Sequence, residues 1–322
     1  MRRLLPALVV GVAGLGVAGA CRPDLGAPQS VVDGPRILAV RADLPEVAPG
    51  DAMVTFDALV VDVDGRIAMP DLAWMTCNEP HPPAESNIVS VGCLNVPGQD
   101  PLPDDATGTT FKAAVPAQAC VNFGPQVSKP GARPTDADTT GGYYQPVRAT
   151  WKVGAEQTAF GLERIRCSIG GIAPTEVAGE YQTKYKNNVN PVLASVTLDP
   201  EGAATPLYAT GQMAPPPVAT VAAGQAVTLE AAWPDATPES CLVYDITSHE
   251  LVTQRESLRV SWFATAGEFQ HERGGRGTGE PQTFTRNVWT APTTPGTVHM
   301  WMVLRDSRGG VDFGETTIEV TP

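Results

Sequence analysis

The sequence predicts an all-β protein built as two β-sandwiches in tandem, and three observations carry that expectation. Alternating apolar and polar residues recur along the chain, glycine and proline are abundant at 32 and 31 residues, and 322 residues comfortably make two sandwiches. With no collagen-like period, such a composition points to many short strands joined by turns. The clearest strand lies at 298–304. Pro295 and Gly296 enter it and an Asp306-x-x-Gly309 turn leaves it. Val298, Met300, Met302 and Leu304 alternate on one face, with His299, Trp301 and Val303 on the other. A shorter copy of its exit at 165–171, ending in Gly170 and Gly171, points to a second, related module.

At the N-terminus, Met1, Arg2 and Arg3 precede an apolar run over 4–20, the form of a bacterial export signal. The run is rich in glycine and at the short end of the roughly 17–25 residues that span a membrane. It ends Val17-Ala18-Gly19-Ala20-Cys21, which resembles the lipobox of bacterial lipoproteins. The resemblance implies that signal peptide 1–20 is removed and that Cys21 receives a diacylglyceryl group, making the membrane a partner through a lipid anchor. Acyl chains contribute about 0.8 kcal/mol per buried methylene, so such attachment is lasting. Ala18 stands where leucine is usual, and Ala18-Gly19-Ala20 also reads as a plain cleavage site that would release a soluble protein. Residues 21–35 follow as a Pro/Gly/Asp-containing tether, which as a coil would reach on the order of 20 Å. By resemblance to the enterobacterial sorting rule, Arg22 carries no inner-membrane retention signal, which implies the outer membrane.

The net charge is −13, and no run of lysine or arginine occurs beyond the signal. That surface repels phosphate backbones and excludes a nucleic-acid partner.

The first module is placed at 36–187. Strands are expected at 36–42 and 53–61, then a Trp74-bearing strand at 71–77 and an alternating strand at 147–153. An irregular insertion over about 78–145 interrupts them, a length that marks functional or poorly ordered segments. Residues 158–166 read as a strand or a helical turn, 181–185 as the closing strand, and 187–190 as the joint. The second module is placed at 188–322. Val227, Leu229, Ala231 and Trp233 share one face of a strand, Trp262 sits in the next, and strands at 284–290 and 316–320 complete it. Gly224/Val227/Leu229, Trp262, and Pro295 through Gly309 are similar to the motifs of bacterial immunoglobulin-like and PKD-like domains. The resemblance implies a fold and no ligand. More loosely, the whole resembles tandem-module lipoproteins of predatory and soil deltaproteobacteria.

Export implies disulfides, and the candidates are Cys77–Cys93 and Cys120–Cys167, with Cys241 alone in the second module. No Cys-x-x-Cys, His-Glu-x-x-His or Gly-x-Ser-x-Gly pattern occurs, so neither a cofactor nor a catalytic residue is assigned. Asp62 and Asp64 are weak calcium candidates, but Asp64-Gly65 is a strong hairpin signal. The stretch 274–279, flanked by Arg273 and including Arg276, reads as an exposed strand connection and a contact loop. Trp289 and Trp301 are candidates for stacking on sugars, or for packing between modules. The function expected is a non-catalytic cell-envelope lipoprotein acting in adhesion or protein interaction through sandwich loops. The alternatives are a carbohydrate-binding surface and a passive spacer.

Overall fold

The computed structural model describes residues 28–50, 53–76, 93, 108–115, 117–123, 141–151, 157–211 and 216–322. Its strands form two β-sandwiches with separate cores. Among the described residues no helix is long and apolar enough to cross a membrane.

In the first sandwich, one sheet contains β1 (Arg36–Ala42), β3 (Met53–Asp62), β4 (Gly65–Arg66) and β6 (Thr110–Ala114). The facing sheet runs β2 (Glu46–Val47), β8 (Gln157–Arg166), β7 (Gly142–Trp151), β5 (Leu72–Thr76). Val54, Phe56, Ala58 and Val60 alternate inward from β3 and meet Trp74, Val147 and Ala149. The supposed irregular insertion contributes a core strand. β6 pairs antiparallel with β3, and its Phe111 stacks on Trp74 at 5.5 Å between ring centroids. Only Phe111 and Ala113 alternate as buried residues there, too short a pattern to stand out in a polar stretch.

One open reading is decided and one expectation is corrected. Residues 158–166 lie in β8, an ordinary strand paired with β7 along its length. Residues 181–185 are not a strand: helix α2 (Thr175–Lys184) occupies most of them, and Tyr185 is its C-cap. Tyr181 and Tyr185 are four apart, a spacing that puts both on one face in a helix as well as in a strand. The exit at 165–171 is therefore no structural copy of the one at 306–309, because it leads toward α2 rather than into a hairpin. Helix α1 (Ala119–Phe123) carries Cys120, which forms the predicted disulfide with Cys167 across a sequence separation of 47. Cys93 is also disulfide-bonded, while Cys77 lies outside the described residues, as does Cys21.

In the second sandwich, one sheet runs β10 (Thr205–Ala209), β9 (Ser195–Leu198), β12 (Ala226–Ala232), β18 (Phe284–Thr290), β16 (Glu268–Phe269). The other runs β11 (Ala219–Ala222), β20 (Val311–Thr321), β19 (Gly296–Asp306), β15 (Leu258–Ala264), β17 (Arg273–Arg276). Val298, Met300, Met302 and Leu304 of β19 enter this core as their alternation predicts, beside Trp262 and Trp233. A separate hairpin, β13 (Ser240–Asp245) and β14 (Glu250–Arg255), packs Leu242, Tyr244 and Leu251 against Tyr181 and Tyr185 around α2. Free Cys241 is buried in it.

Because Phe111 fills the space over Trp74, Phe111→Ala should destabilise the chain by about 3–5 kcal/mol in urea unfolding. A loss below about 1 kcal/mol would show that β6 is no core strand.

Candidate functional site

The two sandwiches meet along a joint that begins with strands buried on both faces. The outward face of β3 changes from Thr55 and Asp57 to Leu59 and Val61. That of β19 changes from Thr297 and His299 to Trp301 and Val303. The apolar halves of these faces pack together, with Leu38, Ala39, Val32 and Val311 completing the cluster. Arg41 spans the seam to Asp312 at 3.0 Å and lies over the Phe313 ring.

At one end of the seam sits a buried charge network centred on Glu46, whose side chain is inaccessible to solvent. Its Oε1 accepts from the Tyr185 hydroxyl at 2.7 Å and from Arg164 Nε at 3.2 Å. Its Oε2 accepts from Arg308 Nη2 at 2.6 Å and from the Asn188 backbone N–H at 2.7 Å. Arg308 arrives from the other sandwich, and its Nη1 also donates to Glu256 at 3.2 Å. The turn after β19 aims it: Asp306 Oδ1 accepts from the backbone N–H groups of Arg308 and Gly310, both at 2.8 Å, while Gly309 takes φ +99°. Burial, then the Asp306 charge, raises Glu256 to about 7, and burial, then Glu46, pushes the Tyr185 hydroxyl up to about 12. The joint predicted at 187–190 carries its own ties. Asn187 Nδ2 donates to Glu46 O at 3.2 Å, and Asn190 Nδ2 to Ala42 O at 2.7 Å.

The end of the predicted tether is part of this assembly rather than a free coil. Val31 bridges Ala264 in parallel, the Val32 N–H donates to Ala264 O at 2.8 Å, and the Ala264 N–H to Ser30 O at 2.9 Å. Arg36 clamps the segment by donating to the Gln29 and Val31 carbonyls, both at 2.8 Å. Val32 and Ser30 are buried.

Beside the apolar seam lies a cleft of about 410 Å³ with Val40, Phe160, Leu162 and Val311 among its walls. A second cavity of about 220 Å³ adjoins it, and Arg259 and Arg305 line both. Arg273 lines the second. This cleft is assembled from strands of both sandwiches, which no local sequence pattern announces. The Glu46 network was equally hidden, since charged residues in turns read by default as solvated.

The site residues expected from sequence are dispersed. Trp289 is fully buried in the second core with its Nε1 donating to Ala266 O at 3.2 Å, and Trp301 is buried in the seam. All six tryptophans are at most 5 % exposed, so none offers a platform for a sugar. The 274–279 stretch is no free loop at its start, because Arg273–Arg276 forms β17. Gly275 lets β17 approach: a Cβ there would lie 2.1 Å from Leu258 O. Arg276 is spent on its own neighbours, over the Phe284 ring and donating to Gly275 O at 3.0 Å. Asp62 Oδ1 accepts the Asp64 N–H at 2.9 Å, closing a turn whose Gly65, at φ +120°, packs on the His299 ring. Among the described residues no cluster of three or more His, Cys, Asp or Glu could hold a metal ion.

No protein-family model and no curated protein matches the sequence. Among solved structures, the chain is similar to the D00-D0 domain of Intimin, with 11% identity and a TM-score of 0.23 over 90% of this chain and 99% of that one. It is also similar to the Yersinia pseudotuberculosis adhesin InvE, with 10% identity and a TM-score of 0.21 over 87% of this chain and 58% of that one. A marsupial T cell receptor matches at 8% identity and a TM-score of 0.18, covering 90% of this chain and 98% of that one. Scores at this level carry no functional argument.

Removing Arg308 leaves Glu46 and Glu256 buried with one cation fewer. Arg308→Met should therefore cost about 3–5 kcal/mol in chemical denaturation, against under about 0.5 kcal/mol for the exposed Lys184→Met. A second prediction concerns Glu163, whose buried Oε1 finds no hydrogen-bond partner and whose pKa burial, then Asp43, raises from 4.5 to about 8. Between those values the folded chain keeps a proton that the unfolded chain has lost, so stability falls as pH rises across that window and levels outside it. Glu163→Gln should be more stable than the parent at pH 8.5 and nearly unchanged at pH 4. Parallel unfolding curves across pH would refute the assignment.

Proposed function

We propose that this chain is a non-catalytic, exported cell-envelope protein, lipid-anchored at Cys21, whose two sandwiches act as one rigid unit that binds a partner protein. The observation that carries the reading is the joint. A buried carboxylate held by groups from both sandwiches, together with an apolar seam, fixes their relative orientation. Domain pairs with small polar interfaces hinge freely. A pair joined this way presents a pre-formed surface, which lowers the ordering cost of association.

That surface is the cleft beside the seam, which the loop residues Ser257, Ser307 and Gly309 help to line. Lipid anchoring rests on the lipobox-like residues before Cys21, and the outer membrane on the sorting resemblance. The docked segment at 29–32 sets the geometry. Six residues lie between Cys21 and Pro28, seven steps along the chain, so the unit would stand at most about 25 Å from its anchor. The spacer reading draws support from the same rigidity, but a spacer has no use for a lined cleft.

Metabolic labelling with a palmitate analogue should mark the parent chain and not Cys21→Ala; label retained on the variant would refute the anchor. Cross-linking in intact envelopes should trap a discrete partner through probes placed at Ser257 or Ser307 on the cleft rim. Cross-links confined to probes on the far sheet, for example at Thr228, would refute the cleft as the binding surface.

A further inference from the structure

The cleft and its adjoining cavity hold three arginines without a carboxylate partner among the described residues, although Arg305 donates to Leu38 O and Arg273 to Gln29 Oε1 at 3.5 Å. Arg259 and Arg305 face each other directly across β15 and β19, and Arg273 stands opposite Ser261 on the next strand. Residues 259 and 261 share a parity, so three guanidiniums from three adjacent strands stand on one face. Like charges directly opposite in a sheet are destabilising. Five other arginines meet carboxylates: Arg41 and Arg66 meet Asp57, Arg164 and Arg308 meet Glu46, and Arg286 meets Glu201 and Glu230, while Arg36, Arg255 and Arg276 donate to backbone carbonyls. Among the described residues none of Arg259, Arg273 and Arg305 forms an ion pair, although the sequence has 35 carboxylate side chains to offer. Arg305 is half-buried and donates to Leu38 O at 3.1 Å. Burial first, then Arg259 and Arg273, brings its guanidinium down to about 10.

Two carboxylates line the cavities without neutralising them. Asp306 is consumed by its turn and by Asn188 Nδ2 at 3.1 Å, and Glu272 in the smaller cavity makes no ion pair with these arginines. Three like charges side by side on one sheet face suit an anion from outside, and the walls bear on what accompanies it. Val40, Leu162, Val311 and Phe160 suit aliphatic side chains, with Tyr144, Ser257 and Ser307 adding polar groups to the lining. We propose that the cleft binds an acidic segment of a partner polypeptide, with a carboxylate bridging Arg259 and Arg305 and a neighbouring aliphatic side chain in the larger cavity. The proposal rests on the reading of the chain as a protein-binding unit, and it supplies the chemistry of the ligand. Arginine suits the task, because its planar fork grips carboxylates with two parallel hydrogen bonds. The overall charge of −13 does not forbid it, since exposed charges beyond about 8 Å are screened at physiological salt.

The test uses the full chain and blocked ten-residue probes of alternating Glu and Val, alternating Gln and Val, and an oligogalacturonate of equal charge. Titration calorimetry at physiological salt should show binding of the Glu–Val peptide alone, weakening as salt is raised. Arg259→Gln, a change at an exposed strand position, should weaken it about ten- to a hundred-fold. Arg305→Met should do the same, and Arg276→Gln should leave it unchanged. Silence toward the Glu–Val peptide, equal binding by Arg259→Gln, or preference for the oligogalacturonate would each overturn the proposal. Should Arg305→Met unfold, the exposed Arg259 variant still decides. The protein-binding reading is judged separately: a partner cross-linked at the cleft rim with equal yield in Arg259→Gln preserves it while removing the acidic ligand.

Discussion

One carboxylate sets the shape of this molecule. Glu46 gathers Arg164 and Tyr185 from its own sandwich, Arg308 from the other, and the backbone of the connection between them. Taking such charges out of water costs several kcal/mol per ion, and attraction offsets that only when every partner is in place. The network is therefore close to all-or-none. A hinge motion at the joint would strip a buried carboxylate of its cations, so the sandwiches move together. The cleft inherits its rigidity from this constraint, because its walls come from β1 and β8 on one side and β15, β19 and β20 on the other.

How far sequence reading reached follows from the range of the patterns it uses. Val298, Met300, Met302 and Leu304 were legible as a core face because alternation is local. The same is true of Val227, Leu229 and Ala231. The seam was half-legible: His299, Trp301 and Val303 were assigned to the opposite face, and a face that turns apolar partway along a strand announces a second packing partner. β6 escaped because two alternating residues do not rise above a polar background. Of the arginine cluster only Arg273 was singled out in the sequence, as the flank of a contact loop. Arg259, Arg273 and Arg305 are brought together by register alone, and register is fixed by the fold as a whole.

The two halves of the β19 sheet face divide the labour at the joint. Trp301 and Val303 exclude water and bind the first sandwich, while Arg305, one step further along the same face, is left at the margin of that contact. Charged groups at the edge of such an apolar contact are less screened than in open water, which strengthens their interactions. Trp301 packs in the seam, while Trp289 belongs to the core of the second sandwich.

The docked segment at 29–32 decides how the molecule bears load. A pull arriving from the N-terminal side reaches the Val31–Ala264 bridge and the Arg36 clamp before it reaches the body of the first sandwich. Tension is thus delivered at the seam, where both sandwiches share it in parallel. Beads on a string would instead each carry the full force in series, and the weakest would yield first. Here the bridge to Ala264 takes the force first and must peel away before the leading strand of the first sandwich carries it alone.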